Sequence, residues 1–378
     1  MHTGPDRFGT RDLPPDVDTL VIGAGQAGLA MSQQLSSAGV EHVVLEARDR
    51  LGGSWLKRWD SFCLVTPNWS IRLPGGEYDG PDPHGFLGRD GLIEHMDRYG
   101  RAIGSPVVLD ARATRVEPIQ DGGTRLRVDT ARGSVATRNV VVATGAFQEP
   151  RRPAAAETIP PEILQLHTDE YRNPGALPPG GVLVIGSGQS GCQIAEELHD
   201  AGRRVVLSVS SCWRAPRHYR GKDTFWWMAQ RGLRAAELGL PAETVDDLPD
   251  PRLRFACNPH VSGTKGGHTI NLRRLAADGV TLAGRFLGAE GGRARFADDL
   301  AGNLARADTF FDENLRPELD EFIQLAGIDA PPYEPDTFDY EPPGVGELDL
   351  AAEGIGTVIW ATGYRLDFRW ISALRMDE

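Results

Sequence analysis

Two copies of a glycine-rich turn, each directly after an apolar run, constrain this chain more than any other feature. The first is Gly23-Ala24-Gly25-Gln26-Ala27-Gly28, preceded by Thr19-Leu20-Val21-Ile22. The second is Gly186-Ser187-Gly188-Gln189-Ser190-Gly191, preceded by Val182-Leu183-Val184-Ile185. In such a turn the first glycine permits a tight strand-to-helix reversal, and the second lets the backbone approach a pyrophosphate. The third lets the new helix pack close to the strand, and the helix N-terminus supplies amide donors. The chain holds 45 glycines in 378 residues, and chance alone then yields about 0.6 such patterns. The meaning therefore rests on context.

Context is present in both copies. After the first, Leu29, Ala30, Met31 and Leu35 carry helical spacing, Gly39 ends the helix, and His42-Val43-Val44-Leu45 reads as the next strand. Glu46 and Ala47 close that strand, and the carboxylate is placed to accept hydrogen bonds from a ribose diol. After the second, Ile194, Ala195 and Leu198 continue a helix, Gly202 closes it, and Val205-Val206-Leu207 forms a strand. No acid follows. The chain runs instead into Ser208, Ser210, Ser211 and Arg214, which suit a 2′-phosphate better than a bare ribose. Arg214 reads equally as a solvated member of the run Arg214, Arg217, Arg220. Two such sites imply two dinucleotides and a transfer of electrons.

An internal repeat underlies the pair. Val140-Val141-Val142-Ala143-Thr144-Gly145 and Val358-Ile359-Trp360-Ala361-Thr362-Gly363 each end a β-branched strand in the same tripeptide, letting the backbone leave the sheet close to a cofactor. The expected fold is α/β with two Rossmann-like domains. The first spans 1–149, a Pro-rich linker 150–174, and the second 175–365, with an irregular insertion at about 216–348. Residues 366–378 begin a short return segment to the first domain. Residues 106–138 read as a β-meander, and an amphipathic helix is expected near Leu315–Leu325.

A net charge of −13 disfavours nucleic acid or an anionic membrane as partner. No apolar run reaches the length of a membrane span. Met1 to Asp16 lacks the apolar core of a signal peptide, so the expected location is cytoplasmic. Cys63, Cys192, Cys212 and Cys257 show no C-x-x-C spacing, which argues against a metal site, a disulfide framework and a redox dithiol.

Over nearly its whole length the chain resembles the flavin-containing monooxygenases, in particular bacterial members similar to the plant indole-3-pyruvate monooxygenases. The resemblance rests on both glycine turns, Gly52-Gly53-Ser54-Trp55 after Glu46, both Ala-Thr-Gly endings, and His167-Thr168-Asp169-Glu170-Tyr171. Trp59-Asp60-Ser61, Thr66-Pro67-Asn68-Trp69 and Tyr219-Arg220-Gly221 add to it. It implies a glutathione-reductase-like pairing of an FAD domain and an NADPH domain. It also implies oxygenation of a small organic substrate by O₂ through a C4a-(hydro)peroxyflavin. Asn68 takes the place of the family's active-site asparagine, or alternatively caps a turn after Pro67. Trp55, Trp59 and Trp69 wall the flavin or pack as core. His167 and Tyr171 belong to the family's linker pattern; His167 orders that linker or acts in catalysis. A homodimer is compatible with this reading. Two departures stand out: Ile163 to Leu166 replace the usual Phe-x-Gly, and the chain ends at Glu378, soon after Gly363. The second implies an exposed, weakly held flavin. Two other readings stay open: a flavin reductase, oxidase or dehydrogenase without oxygen insertion, and a non-catalytic redox-sensing flavoprotein.

Overall fold

The computed structural model describes residues 12–119, 125–241, 244, 246 and 259–372. Residues 1–11 of the lead-in, Cys257, parts of the 216–348 insertion and 373–378 of the return segment lie outside the described residues. The chain divides into two compact units. One comprises residues 1–58, 68–150 and 364–378; the other comprises 59–67 and 151–363.

In the first unit, β1 (Asp16–Ile22) leads through the first glycine turn into α1 (Gln26–Ser37) and β2 (His42–Leu45). Then come α2 (Arg89–Ala102), β3 (Val107–Val108), β4 (Ala113–Pro118), β5 (Leu126–Thr130) and β6 (Gly133–Val142). The sheet order is β3-β2-β1-β6-β5-β4. Parallel pairing places Ile22 against both Leu45 and Val142. Period-two alternation sends β1 side chains to two cores. Leu20 and Ile22 pack with Leu45, Val108, Val116 and Val128, whereas Val21 packs with Leu29, Val44, Met96 and Tyr99. Helix α2 buries Leu92, His95, Met96 and Tyr99, the three- and four-residue spacing of one helical face. The expected meander is corrected at its start: β4, β5 and β6 form it, while Val107–Val108 pairs in parallel with β2 at the opposite edge. Those two residues are fully buried, which a parallel edge covered on both faces requires. Tyr364–Arg365 pairs with Glu149–Pro150, and Ile371 joins the core beside Val116.

The second unit is built on a five-stranded, all-parallel sheet. Its strands are β7 (Leu164–His167), β8 (Gly181–Ile185), β9 (Val205–Ser208), β10 (Thr281–Ala283) and β11 (Ile355–Trp360), ordered β7-β11-β8-β9-β10. The second glycine turn joins β8 to α3 (Gln189–Asp200). Continuous burial of β8 and β9 fits a sheet covered on both faces. One cover is a three-stranded antiparallel sheet (Phe286–Glu290, Arg293–Phe296, Glu347–Asp349), whose Phe286 and Phe296 pack with Trp360.

Residues expected as an irregular insertion carry a helical cluster of their own. Helix α4 (Thr224–Leu238), α5 (Leu300–Phe310) and α6 (Arg316–Leu325) contribute to it, with a single π turn at Phe311–Leu315. Trp227, Tyr219, Phe311 and Phe322 form the apolar centre. The segment 151–174, expected as a linker, belongs to this unit because β7 is its edge strand beside β11. Trp59–Pro67 belongs to it as well: Asp60 N–H donates to the Arg172 carbonyl (2.8 Å), and Ser61 to Glu197 (2.7 Å).

Candidate functional site

Each glycine turn is built from three mutually close backbones. Gly23 has φ +109°, and a Cβ there would lie 2.4 Å from the Ala143 carbonyl oxygen. A Cβ on Gly28 would lie 1.8 Å from the Gly23 carbonyl oxygen. In the second turn Gly186 has the same φ, +109°, and its Cβ would meet the Ala361 oxygen at 2.5 Å. A Cβ on Gly191 would meet the Gly186 oxygen at 2.0 Å. The Ala-Thr-Gly endings are thus the walls of the two turns. Matching hydrogen bonds fix them: Ala143 N–H to Ile22 O and Ala361 N–H to Ile185 O, both 2.8 Å.

The middle glycine of the first turn differs from its neighbours. A Cβ on Gly25 would meet nothing within 4 Å, although its φ of −78° would accept one. The glycine is not demanded by the fold, so the space above it fits a group brought from outside. Gly25 also caps α1 with no side-chain hydrogen bond, and the first turn, with exposed Gln26 and Ala27, holds no acidic residue. Its amides and the positive end of the helix dipole are therefore not neutralised locally. Gly53 (φ +52°) sits beside Gly25, 3.7 Å from that Cα to its own Cβ position.

Buried Glu46 accepts from Ala24 N–H through Oε2 and from Arg48 N–H through Oε1, each at 3.1 Å. Burial pushes its carboxyl above the ordinary value, against the lowering by those amides and Arg48. Each oxygen keeps a lone pair, so a ribose hydroxyl can still donate to it. Ala47 follows, half-buried; Ser54 and Trp55 lie in the 3₁₀ turn Gly53–Lys57. The Arg58 guanidinium stacks 4.5 Å from the Phe147 ring and 5.9 Å from Trp55. Gln148 Nε2 bridges Thr144 Oγ1 (3.0 Å) and the Gly145 carbonyl (2.8 Å).

In the second turn, Val209 occupies the register position of Glu46. Ser187 is fully buried, and its hydroxyl accepts from Ser210 N–H at 3.0 Å. Helix α3 starts at Gln189 with Gly188 as an uncapped N-cap and no acid in its first turn, where Ser190 is half-buried. Ser211 is exposed. Arg214 is mostly buried and pairs with Asp308 (2.7 Å) and Asp336 (3.4 Å). A 2′-phosphate would therefore compete with two carboxylates for it.

The residues expected to act chemically are committed to neighbours. Asn68 is buried, its Oδ1 accepting from Leu87 N–H (2.7 Å) and its Nδ2 donating to Asp82 O (2.8 Å). This is the turn-capping alternative. Tyr171 is fully buried and donates to Glu197 at 2.9 Å; burial and that carboxylate hold its phenol far above the ordinary range. His167 faces the Asp169 carboxylate (3.0 Å) and the Gly363 carbonyl (3.1 Å), bracing the Ala-Thr-Gly ending whose Thr362 hydroxyl donates to Arg151 O. Trp59, in edge contact with Phe62, lines a cavity of about 180 Å³ in the second unit with Ser61, Cys63, Glu197 and Lys265. Thr66 lies in the same segment, half-buried. Among the described residues no cluster of His, Cys, Asp or Glu could hold a metal. No helix among them is long and apolar enough to cross a membrane.

Sequence reasoning missed His260. It is fully buried, and its Nε2 donates to the Ser187 carbonyl at 2.6 Å. Nothing in its local pattern marks it.

The chain is similar to several known proteins. It is 39% identical to an uncharacterized CzcO-like oxidoreductase of Geobacillus kaustophilus, over 57% of this chain and 61% of that one. It is 31% identical to the rice indole-3-pyruvate monooxygenase YUCCA1, over 60% of this chain and 55% of that one. The chain thus spans less than two thirds of either relative's length. In fold it is like the flavin-containing monooxygenase of Stenotrophomonas maltophilia: TM-score 0.56 at 21% identity, covering 96% of this chain and 83% of that one. The pyridine nucleotide-disulphide oxidoreductase family description matches residues 20–223. That stretch exceeds half of the chain and runs through both glycine turns, and the chain belongs to that family.

Proposed function

We propose that the chain is an FAD-dependent, NADPH-consuming monooxygenase acting on a small organic substrate and O₂ in the cytoplasm. The observation that carries this reading is the pair of matched glycine turns, of which only the first is followed by a carboxylate. FAD belongs to the first unit. Gly23, Gly25 and Gly28 with the α1 amides hold its pyrophosphate; Glu46 takes a ribose hydroxyl; Gly53, Ser54, Trp55 and Ala143 to Gly145 complete the cradle. NADPH belongs to the second, at Gly186 to Gly191, with Ser210, Ser211 and Arg214 for the 2′-phosphate and Ala361 to Gly363 as the wall. Bound flavin supplies hydride acceptance and oxygen activation; the chain binds, orients and excludes water. The relatives named as monooxygenases support oxygen insertion over disulfide reduction.

The test is oxygen labelling of the FAD-loaded protein with NADPH, ¹⁸O₂ and indole-3-pyruvate as first probe, followed by other small carbonyl, amine and thioether compounds. One labelled oxygen in product per NADPH is expected. NADPH consumption with no label in any organic product would overturn oxygenation. One observation favours a second reading, a flavin reductase: the Asn68 amide, assigned to oxygen chemistry, is engaged with Leu87 and Asp82. Under that reading, ferricyanide accepts the electrons and no label enters product.

A further inference from the structure

We infer that His260 is a positioning residue for the pyridine nucleotide: it holds the Ser187 carbonyl so that the Gly188 amide is presented to the phosphates. This rests on assigning the second glycine turn to that nucleotide. The argument begins with peptide geometry. The Ser187–Gly188 bond is trans, and in a planar trans peptide the carbonyl and the following N–H point in opposite directions. Fixing the Ser187 carbonyl therefore fixes the direction of the Gly188 N–H. Gly188 is the middle glycine, where backbone and pyrophosphate come closest.

The carbonyl is held from the buried side. His260 Nε2 approaches it at 2.6 Å, and Cys192 Sγ at 3.4 Å. Sγ and Nε2 are themselves 3.5 Å apart. The other ring nitrogen, Nδ1, has no hydrogen-bond partner among the described residues, so the neutral ring is fixed as the Nε2–H tautomer. Burial keeps the ring neutral, pulling its pKa down to about 4 with help from the nearby Arg214. A neutral ring is needed, since a second proton would have no acceptor there.

The histidine is itself anchored. His260 N–H donates to Trp213 O (2.9 Å), and Ile270 N–H to His260 O (3.0 Å). From helix α3, Gln189 Nε2 reaches Pro259 O (3.4 Å) and Gln193 Nε2 reaches Val261 O (3.3 Å). Pro259–Val261 is thus a strap across the start of α3, with the imidazole as its central contact.

The test compares His260→Leu, which removes the donor, with His260→Gln, whose amide reaches the Nε2 position. Two quantities are read on the FAD-loaded protein: the dissociation constant of NADP⁺, and amide hydrogen exchange over Gly188–Ser190 without nucleotide. His260→Leu should bind NADP⁺ about tenfold more weakly and exchange about tenfold faster, with FAD content unchanged. His260→Gln should recover both to within about threefold. Wild-type values in His260→Leu would overturn the inference, as would failure of His260→Gln to recover either. If the wild type binds no NADP⁺ but exchange still separates the two variants, the nucleotide assignment falls and the positioning of Gly188 stands. Should His260→Leu not fold, His260→Asn replaces it, since its shorter amide falls short of Ser187 O.

Discussion

At the first glycine turn the clamp is an acceptor: the Glu46 carboxylate takes the Ala24 N–H at 3.1 Å. At the second it is a donor: the His260 imidazole gives its proton to the Ser187 carbonyl at 2.6 Å. Behind this contrast the two turns are nearly one object, with the same φ at the first glycine, the same occlusion by the third, and the same alanine wall. Such a repeat separates what the backbone demands from what the ligand demands. Positions where a Cβ has no room, Gly23, Gly28, Gly186 and Gly191, serve the turn. Gly25, with room to spare, serves whatever enters. Under the proposed assignment the difference has a reason: the acid that serves a ribose diol would repel a 2′-phosphate, and the second turn is braced by neutral groups.

The largest expected effect comes from Gly28→Ala and Gly191→Ala. Each drives a methyl into a carbonyl oxygen and should cost about 3 kcal/mol or more in its own unit. Gly28→Ala should lose FAD; Gly191→Ala should keep FAD yet lose NADP⁺ binding. Calorimetric melts with flavin content and NADP⁺ titration check both, and loss of both cofactors in either variant would break the separation. Gly25→Val comes next. Stability should stay within about 1 kcal/mol, because the backbone accepts a side chain and only a cap is weakened. FAD affinity should nevertheless fall ~100-fold or more. A yellow protein with full flavin content would return Gly25 to the structural class.

Arg214→Ala should raise KM for NADPH about tenfold with NADH nearly unchanged. It should also lower stability by about 1–3 kcal/mol, since Asp308 and Asp336 lose their shared partner. Equal loss for both nucleotides would make the arginine purely structural. The smallest effect concerns pH. Native His260 has a pKa of about 4 against 6.5 unfolded, so the unfolded chain binds a proton that the native ring refuses. Stability therefore falls as pH drops from 6.5 towards 4 and is flat in this respect above 6.5. Urea melts at pH 7 and pH 4.5 should show a loss about 2 kcal/mol greater in wild type than in His260→Gln. Parallel losses would show that the ring already carries its proton in the native state.

Much of the nucleotide-turn architecture was legible because its rules are local. A glycine fingerprint, a helical run and a β-branched strand are each written within a few residues, and so was Glu46. What was not legible depends on distant segments meeting. Tyr219 and Trp227 find Phe311 and Phe322 far along the chain, so their cluster has no periodic signature. Val107–Val108 is too short for its sequence to choose between an antiparallel neighbour and a parallel one. Trp59–Pro67 gives no local sign that it belongs with α3, because the link runs through Glu197 to Ser61 and Tyr171. His260 is the sharpest case. Its role is defined by one carbonyl, and a carbonyl leaves no trace in residue identity.

The alanine walls also bear on how the chain comes to life on the ribosome. Gly23 and Gly28 emerge early, but the carbonyl they close against belongs to Ala143, and Gly186 must wait for Ala361. Neither turn can take its final form when first translated. The first is completed while the second half of the chain is still being made. The second is completed only when Ala361 has left the tunnel. Contacts so distant in sequence form late. Nascent chains stalled before Ile355 should therefore lack a closed second turn, and the first unit, though its turn can close early, still waits for Tyr364–Arg365 and Ile371 to complete its pairing and core.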